Sequence, residues 1–324
     1  MDESRERKRV DLSVIIPARN EEQYLPACLD SIRSNTSSSI SVECVVVDNG
    51  SSDRTAAIAR EKGALVLDSR AETIAAVRNE GARVSSGRYL AFLDADCTVE
   101  AGWAEAIQRA LESKQVVAVG NYPHVAEQGT TWVQKTWSFL LRVRGEPERA
   151  RWLPSANLAV RRDAFEAVGG FDESLTTCED ADLSYRLSRY GTLLDDPEVL
   201  VLHHREPATL AAFLRKEIWH GKDSYHRLRA GGMVADEVPS LIIPLLALSF
   251  ALLCVAGLIA SPHDLRSWPL HLGWIGLLSL PSLLTLRAIV RKGPEIHRIF
   301  AIFVLYSCYV LARVCALVLG FMGR

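Results

Sequence analysis

The sequence predicts an α/β domain built on a mixed, mostly parallel sheet and followed by three apolar helices long enough to cross a membrane. Three observations predict it. Short β-branched runs alternate with helical periodicity from Leu12 to Leu93, polar clusters follow the carboxyl ends of those runs, and charge becomes sparse from Val238 onward.

Taken in order, Leu12 to Pro17 is a short buried strand closed by proline, after a charged tail over 1–11 that lacks the apolar core of a signal peptide. Asn20-Glu21-Glu22 opens a helix with Leu25, Leu29 and Ile32 on one face. Val42 to Val47 is the second strand, and the turn from Asp48 to Asp53 leads into a helix for which Ser52 or Asp53 is the expected N-cap. Ala64 to Leu67 is a third strand, Thr73 to Val84 a helix, and Tyr89 to Leu93 the central strand. Beyond it come a helix at 101–113, strands at 116–119, 157–161 and 199–202, and a short helix at 163–168. A helix lies within 177–191 with Leu183, Leu187 and Tyr190 inward, and an amphipathic helix spans 210–228. Residues 123–152 show no clear period.

Val238 to Ala260 and Trp268 to Leu286 carry no charge, and a third apolar run from Ile299 to Met322 is interrupted only by Arg313. Each is long enough for a transmembrane helix, placed at about 238–260, 268–290 and 299–321. Basic residues at 227, 229 and between 287 and 298 put the front domain (12–230) and that loop on the cytoplasmic side of an inner membrane. Pro244, Pro269 and Pro281 leave open a competing reading as broken or interfacial helices.

The overall charge of −2 conceals an acidic front and a basic, apolar rear. No basic patch marks the front domain, which argues against a nucleic-acid partner. Seven cysteines without a C-x-x-C pair suit a reducing compartment better than a disulfide framework.

The chain is organised around Tyr89 to Cys97, an apolar run ending in Asp94 and Asp96. At strand spacing the two carboxylates share a face, which suits a hard divalent cation; an acidic turn closing the strand is the plain alternative. Together with Val14-Ile15-Ile16-Pro17-Ala18-Arg19-Asn20-Glu21-Glu22, Val47-Asp48-Asn49-Gly50-Ser51-Ser52-Asp53, Arg78-Asn79-Glu80-Gly81, and Gly169-Gly170-Phe171-Asp172-Glu173 followed by Glu179-Asp180, it resembles the family 2 nucleotide-sugar glycosyltransferases of the GT-A fold.

That resemblance implies a GT-A domain, Asp94 and Asp96 holding Mg²⁺ or Mn²⁺ on the donor's diphosphate, and Asp180 as the base that deprotonates the acceptor hydroxyl, with Glu179 beside it. It implies nucleotide contacts from Pro17, Arg19, Asn20, Glu21, Asp48, Asn49, Arg78 and Asp94. Arg19 and Asn49 depart from the tyrosine and second acid common in relatives, which leaves uracil or guanine open. His203 is a further candidate metal ligand; Asn157, Trp219 and Arg313 are candidate acceptor contacts, Arg313 through a lipid phosphate. Arg215 and Ile218 break the Q-x-x-R-W pattern of processive synthases. The expected activity is non-processive, inverting transfer to a lipid or lipid-linked glycan. A polysaccharide-modifying transferase and a non-catalytic membrane scaffold are the alternatives, and a transporter fits poorly with a single intramembrane charge.

Overall fold

The computed structural model describes residues 10–125, 130–141, 146–221, 238–260, 267–293 and 296–322. Packing divides the chain into two units, Met1–Ala126 with Arg142–Arg205 and Glu127–Leu141 with Glu206–Arg324.

The first unit opens with β1 (Leu12–Ala18), α1 (Leu25–Asn35), β2 (Val42–Asp48), α2 (Thr55–Glu61), β3 (Leu65–Asp68), α3 (Ile74–Val84) and β4 (Tyr89–Leu93). β5 (Cys97–Val99), α4 (Trp103–Glu112), β6 (Val116–Gly120) and β7 (His124–Val125) follow. After α5 (Trp132–Leu141), which belongs to the second unit, come β8 (Glu148–Ala150), β9 (Asn157–Arg161), α6 (Arg162–Ala167), α7 (Glu179–Leu187), β10 (Thr192–Asp195) and β11 (Val201–His203).

Eight strands form a sheet in the order β3-β2-β1-β4-β9-β6-β10-β8. The half from β3 to β4 is wholly parallel, whereas β9 runs antiparallel to both β4 and β6. β1 explains why the parallel half reads as unbroken apolar runs. Val14 and Ile16 pack into one buried layer with Leu25, Leu29, Trp103 and Ile107, while Ile15 joins Val45, Phe92, Phe165 and Leu183 on the other face. A small sheet, β5-β11-β7, stands beyond the end of β4.

Several boundaries move for physical reasons. α1 begins at Leu25, with a proline in its first two positions, because Glu21 and Glu22 are engaged by Thr55 and Arg54 across the turn. The cap of α2 falls on Arg54, although Asp53 still accepts from the Thr55 backbone N–H at 3.0 Å. Thr73 caps α3 by accepting from Ala76 N–H at 3.2 Å. Tyr190, expected inward, is exposed just past the end of α7. The stretch without a clear period contains α5 and β8, and β10 is an additional strand.

The second unit holds α5, α8 (Leu210–Gly221), α9 (Val238–Ala260), α10 (Trp268–Lys292) and α11 (Ile299–Met322). Residues 222–228 of the expected amphipathic helix lie outside the described residues. Windows within α9, α10 and α11 are long and apolar enough to cross a membrane. Pro244 and Pro281 sit inside continuous helices and Pro269 in a first turn, so none of them breaks a helix. α5, α8 and α11 share an apolar cluster of Val133, Phe213 and Leu305. Beside it Arg313 Nη2 donates to Glu217 Oε2 at 3.1 Å, with the guanidinium 4.8 Å from the Tyr309 ring. The guanidinium expected to hold a lipid phosphate is thus engaged by a buried carboxylate of the same unit.

Candidate functional site

The site forms where β1, β2 and β4 of the first unit end, together with α3, α7 and the end of β11. Ligand sites of open α/β sheets lie in that position because the loops there diverge into a crevice.

Asp94 to Cys97 is a tight turn, not a continuation of β4: the Cys97 N–H donates to Asp94 O at 3.1 Å. The same-face argument from strand spacing therefore fails, and the two carboxylates take different partners. Asp94 Oδ1 accepts from Arg78 Nη2 at 3.0 Å. Asp96 Oδ1 lies 3.3 Å from His203 Nε2. His203 arrives there because β11 pairs antiparallel with β5, in a register that sets His203 opposite Cys97. Two residues further on, Arg205 Nη1 donates to Glu21 Oε1 at 2.7 Å, and its Nε stands 3.9 Å from Asp96 Oδ2.

Charge partners set the titration of these groups. Burial pushes Asp96 up, but the His203 hydrogen bond and the charges of His203 and Arg205 outweigh it and hold the carboxyl below its ordinary value. For Glu21 burial wins, with Asp96 and Asp94 adding repulsion against Arg205, and its carboxyl is raised. An imidazole and a carboxylate turned toward each other among further acids form an N/O donor set that fits Mn²⁺ or Mg²⁺. Asp96, Cys97 and His203 present donor atoms within 4.8 Å of one another. Asp94, two residues before Asp96, has its Oδ1 engaged by Arg78.

Arg78 is the hinge of the arrangement. Its side chain is 4% exposed, and its Nη1 donates to Glu179 Oε1 at 2.7 Å while Nη2 holds Asp94. Gly81 lets α3 come this close to the sheet, because a Cβ there would stand 2.5 Å from Ile15. The next residue, Asn79, exchanges hydrogen bonds of 2.9 Å with the Phe171 backbone. That anchors the Gly169-Gly170 turn, whose second glycine has φ +74 and no room for a side chain against Asn79. Phe171 lies 5.7 Å beneath the Arg78 guanidinium. The Arg78 guanidinium thus bridges two carboxylates, Glu179 and Asp94.

Asp180 stands in the first turn of α7, preceded by Cys178 at φ 62. Cys178 and Asn20 are the two non-glycine residues with positive φ among the described residues, and both border this crevice. Burial and then the neighbouring Glu179 charge raise the Asp180 carboxyl to about 7, against the Trp152 side-chain hydrogen bond, Arg78 and the Ser155 backbone N–H. The Ser155 N–H donates to Asp180 Oδ2 at 3.3 Å, and its hydroxyl donates to Glu179 Oε1 at 3.2 Å. Asp182 is engaged elsewhere, with Arg186 one turn along the helix.

The nucleotide-side residues meet at the first two strand ends. Asn20 Oδ1 accepts from the Ser52 N–H at 2.8 Å, and Asp48 is engaged by Ser51. Asn49 Nδ2 donates to Ala71 O at 3.1 Å. Pro17 lies buried in β1, and Arg19 is exposed beside it. Asn157 does not face the crevice: it is 1% exposed, accepts from Trp103 Nε1 at 3.0 Å, and donates to Asn121 O and Val199 O. Its amide hydrogens are committed to the fold and cannot serve an acceptor. Trp219 and Arg313 belong to the second unit, where Trp219 is exposed and packs edge-on against His220. Sequence reasoning missed Arg205 and Trp152. Its place two residues after His203 could have marked Arg205; Trp152 falls in the stretch without periodicity.

Residues 13–169 match the family model for glycosyl transferase family 2. Glycosyltransferase AglE of Haloferax volcanii is 31% identical over 220 residues, covering 65% of this chain and 72% of the relative. A pre-mycofactocin glycosyltransferase of Mycobacterium tuberculosis is 27% identical over 223 residues, 65% of this chain and 46% of its own length. Among solved structures, a mannosyltransferase from Pyrobaculum calidifontis in complex with GDP-Man and Mn²⁺ superposes with a TM-score of 0.63 at 17% identity, over 98% of this chain and 88% of its own.

Proposed function

Because the chain belongs to glycosyl transferase family 2, we propose that it is a membrane-anchored, metal-dependent, inverting transferase that moves a sugar from a UDP- or GDP-sugar to a lipid or lipid-linked acceptor. The observation that carries the reading is the clamp of Arg78 between Asp94, on the donor side, and Glu179, beside the base candidate Asp180.

Asp96 and His203 would hold the cation, which neutralises the charge that develops on the departing diphosphate. Asp180 takes the proton of the acceptor hydroxyl as that oxygen bonds to C1 of the sugar and the bond from C1 to the diphosphate breaks. A carboxyl raised to about 7 is matched to such proton transfer near neutral pH. Attack from the side opposite the leaving group inverts the anomeric centre. Asn20, Glu21, Asp48 and Asn49 line the place where β1 and β2 would receive the nucleoside. A GDP-Man complex among the structural neighbours supports a nucleotide-sugar donor, and three apolar helices in the same chain support an acceptor held at a bilayer. The basic residues between 287 and 298 favour a cytoplasm-facing catalytic unit.

Asp180→Asn tests this directly. Transfer should fall by at least ~10²-fold, while calorimetric affinity for UDP or GDP with Mn²⁺ stays near wild type. Retained turnover would remove Asp180 as the base.

A further inference from the structure

We propose that Cys97 gives the cation site a soft third donor, so that Asp96, Cys97 and His203 capture Zn²⁺ as a tetrahedral N/O/S set that competes with the transferase metal. The inference deepens the transferase reading above, since Asp96 and His203 are its cation ligands.

Cys97 opens β5, and β11 pairs antiparallel with β5 in a register that sets His203 directly opposite it. Residues directly opposite in an antiparallel pair share a face, with Cβ atoms ~4.5–5.5 Å apart. The ladder itself therefore brings thiol and imidazole together, and the turn from Asp94 to Cys97 delivers Asp96 to the same place. Both donors converge on one oxygen: His203 Nε2 lies 3.3 Å and Cys97 Sγ 4.0 Å from Asp96 Oδ1. All three donor atoms fall within 4.8 Å of one another.

These separations are close to what zinc requires. Bonds of about 2.0 Å to oxygen and nitrogen and about 2.3 Å to sulfur, at tetrahedral angles, set N···O at about 3.3 Å and S···O at about 3.5 Å. The first is already met, and the second needs the thiol to close by roughly half an ångström. A buried cysteine is ordinarily a small apolar filler. Cys28 is of that kind: fully buried, it turns its Sγ to a backbone carbonyl, that of Asp94, at 3.9 Å. Cys97 is buried as deeply, yet its Sγ turns to a carboxylate oxygen that an imidazole shares.

Softness then separates the ions. Mn²⁺ and Mg²⁺ favour oxygen and imidazole donors in octahedral sets, whereas Zn²⁺ accepts thiolate readily. With Mn²⁺, Asp96 and His203 leave four of the six octahedral positions for diphosphate oxygens and water. Zn²⁺ on three protein donors leaves a single position, and the Cys97 proton passes to solvent as the Zn–S bond forms. The zinc form thus fills the cation site without a second position to offer the donor's diphosphate.

The test uses the full chain in nanodiscs, stripped of metal by chelation and titrated with Co²⁺, a visibly absorbing substitute for zinc in tetrahedral sites. One equivalent should give a thiolate-to-cobalt charge-transfer band in the near ultraviolet, and added Zn²⁺ should abolish it. Cys97→Ser should lose the band and, by calorimetry, weaken Zn²⁺ binding at least ~10-fold. Its Mn²⁺ affinity in the presence of UDP or GDP should stay within ~3-fold, which also shows the variant to be folded. Cys97→Ala repeats the test with the donor atom removed, and His203→Ala should lose the band as well. The inference is overturned by a wild-type titration without the band, by a band that survives in Cys97→Ser or His203→Ala, or by Zn²⁺ binding unchanged in Cys97→Ser. Mn²⁺ weakened as much as Zn²⁺ would overturn it too. If no nucleoside diphosphate binds with Mn²⁺, the transferase reading fails, and the cobalt band still decides whether Cys97 is a ligand.

Discussion

Removing the charge of Arg78 should shift the pH at which the enzyme works, because one guanidinium serves carboxylates on both sides of the reaction. In Arg78→Gln, Glu179 (side chain 10% exposed) and Asp94 (32%) lose their common counter-charge. Charge-assisted hydrogen bonds are worth ~1.5–3 kcal/mol. Removing one partner of a buried pair costs about 3–5 kcal/mol, most of it here at Glu179. Part of that penalty is relieved if the Glu179 and Asp180 pair retains a proton to higher pH. A unit charge ~10 Å away in an effective dielectric of ~20 contributes ~1.7 kcal/mol, or about one pH unit. Asp180 is a base only when ionised, so the rate rises as pH passes through its pKa, raised to about 7. Loss of the cation disfavours the carboxylate and moves that rise upward. Profiles of kcat from pH 5.5 to 9.5 should therefore place the acid limb of Arg78→Gln about one unit above wild type. Activity should partly recover at the alkaline end, and Arg78→Lys should fall between the two. An acid limb that stays in place, with kcat lowered equally at every pH, would refute the coupling and leave Arg78 a purely structural clamp.

Two further outcomes follow from the cation site and from the second unit. Chelation by EDTA should stop transfer and Mn²⁺ or Mg²⁺ should restore it. His203→Ala should raise the Mn²⁺ concentration for half-activity at least ~10-fold, measured by titrating metal into the chelated protein, whereas full turnover in chelator would end the metal reading. In the second unit, Arg313→Met leaves the buried Glu217 without that partner and should destabilise by about 3–5 kcal/mol, read as a lower thermal midpoint in detergent. Glu217→Gln combined with Arg313→Met should recover much of it, and equal midpoints for the single and double variants would show that the pair is not coupled.

The parts of this fold legible in the sequence are those fixed by local rules. β1, β4 and the second half of β2 are buried on both faces, so their mostly apolar runs give them away within a residue or two. α3 is announced by its period and by Thr73 at its start. β8 and β10 are short and owe their conformation to pairing, β10 with β6 and β8 and β8 with β10 at the sheet's edge, so nothing in their own composition marks them. Motif resemblance pointed to Asp94, Asp96 and Asp180, and a strand end pointed to His203, but which partner each of them takes was invisible. Strand spacing would have paired Asp94 with Asp96. The turn at Asp94 to Cys97 separates them, and which carboxylate each cation reaches is decided by β11 and α3, over a hundred residues apart in the chain.

Asn157 and Trp152 make the same point from opposite directions. Asn157 sits next to the site in sequence terms, at the start of a strand paired with β4, and an amide there reads as a ligand contact. Its three side-chain hydrogen bonds, to Trp103, Asn121 and Val199, instead tie α4, β6 and the approach to β11 together, so it acts on the site by holding the frame. Trp152 carries no motif, yet it is close enough to oppose the rise of the Asp180 carboxyl and is 42% exposed. A polar residue whose bonding capacity is filled inside the protein is scaffold, and an apolar one left uncovered beside a reactive group is where a ligand should be sought. That criterion depends on burial and partners, which are properties of the folded chain and not of any window of its sequence.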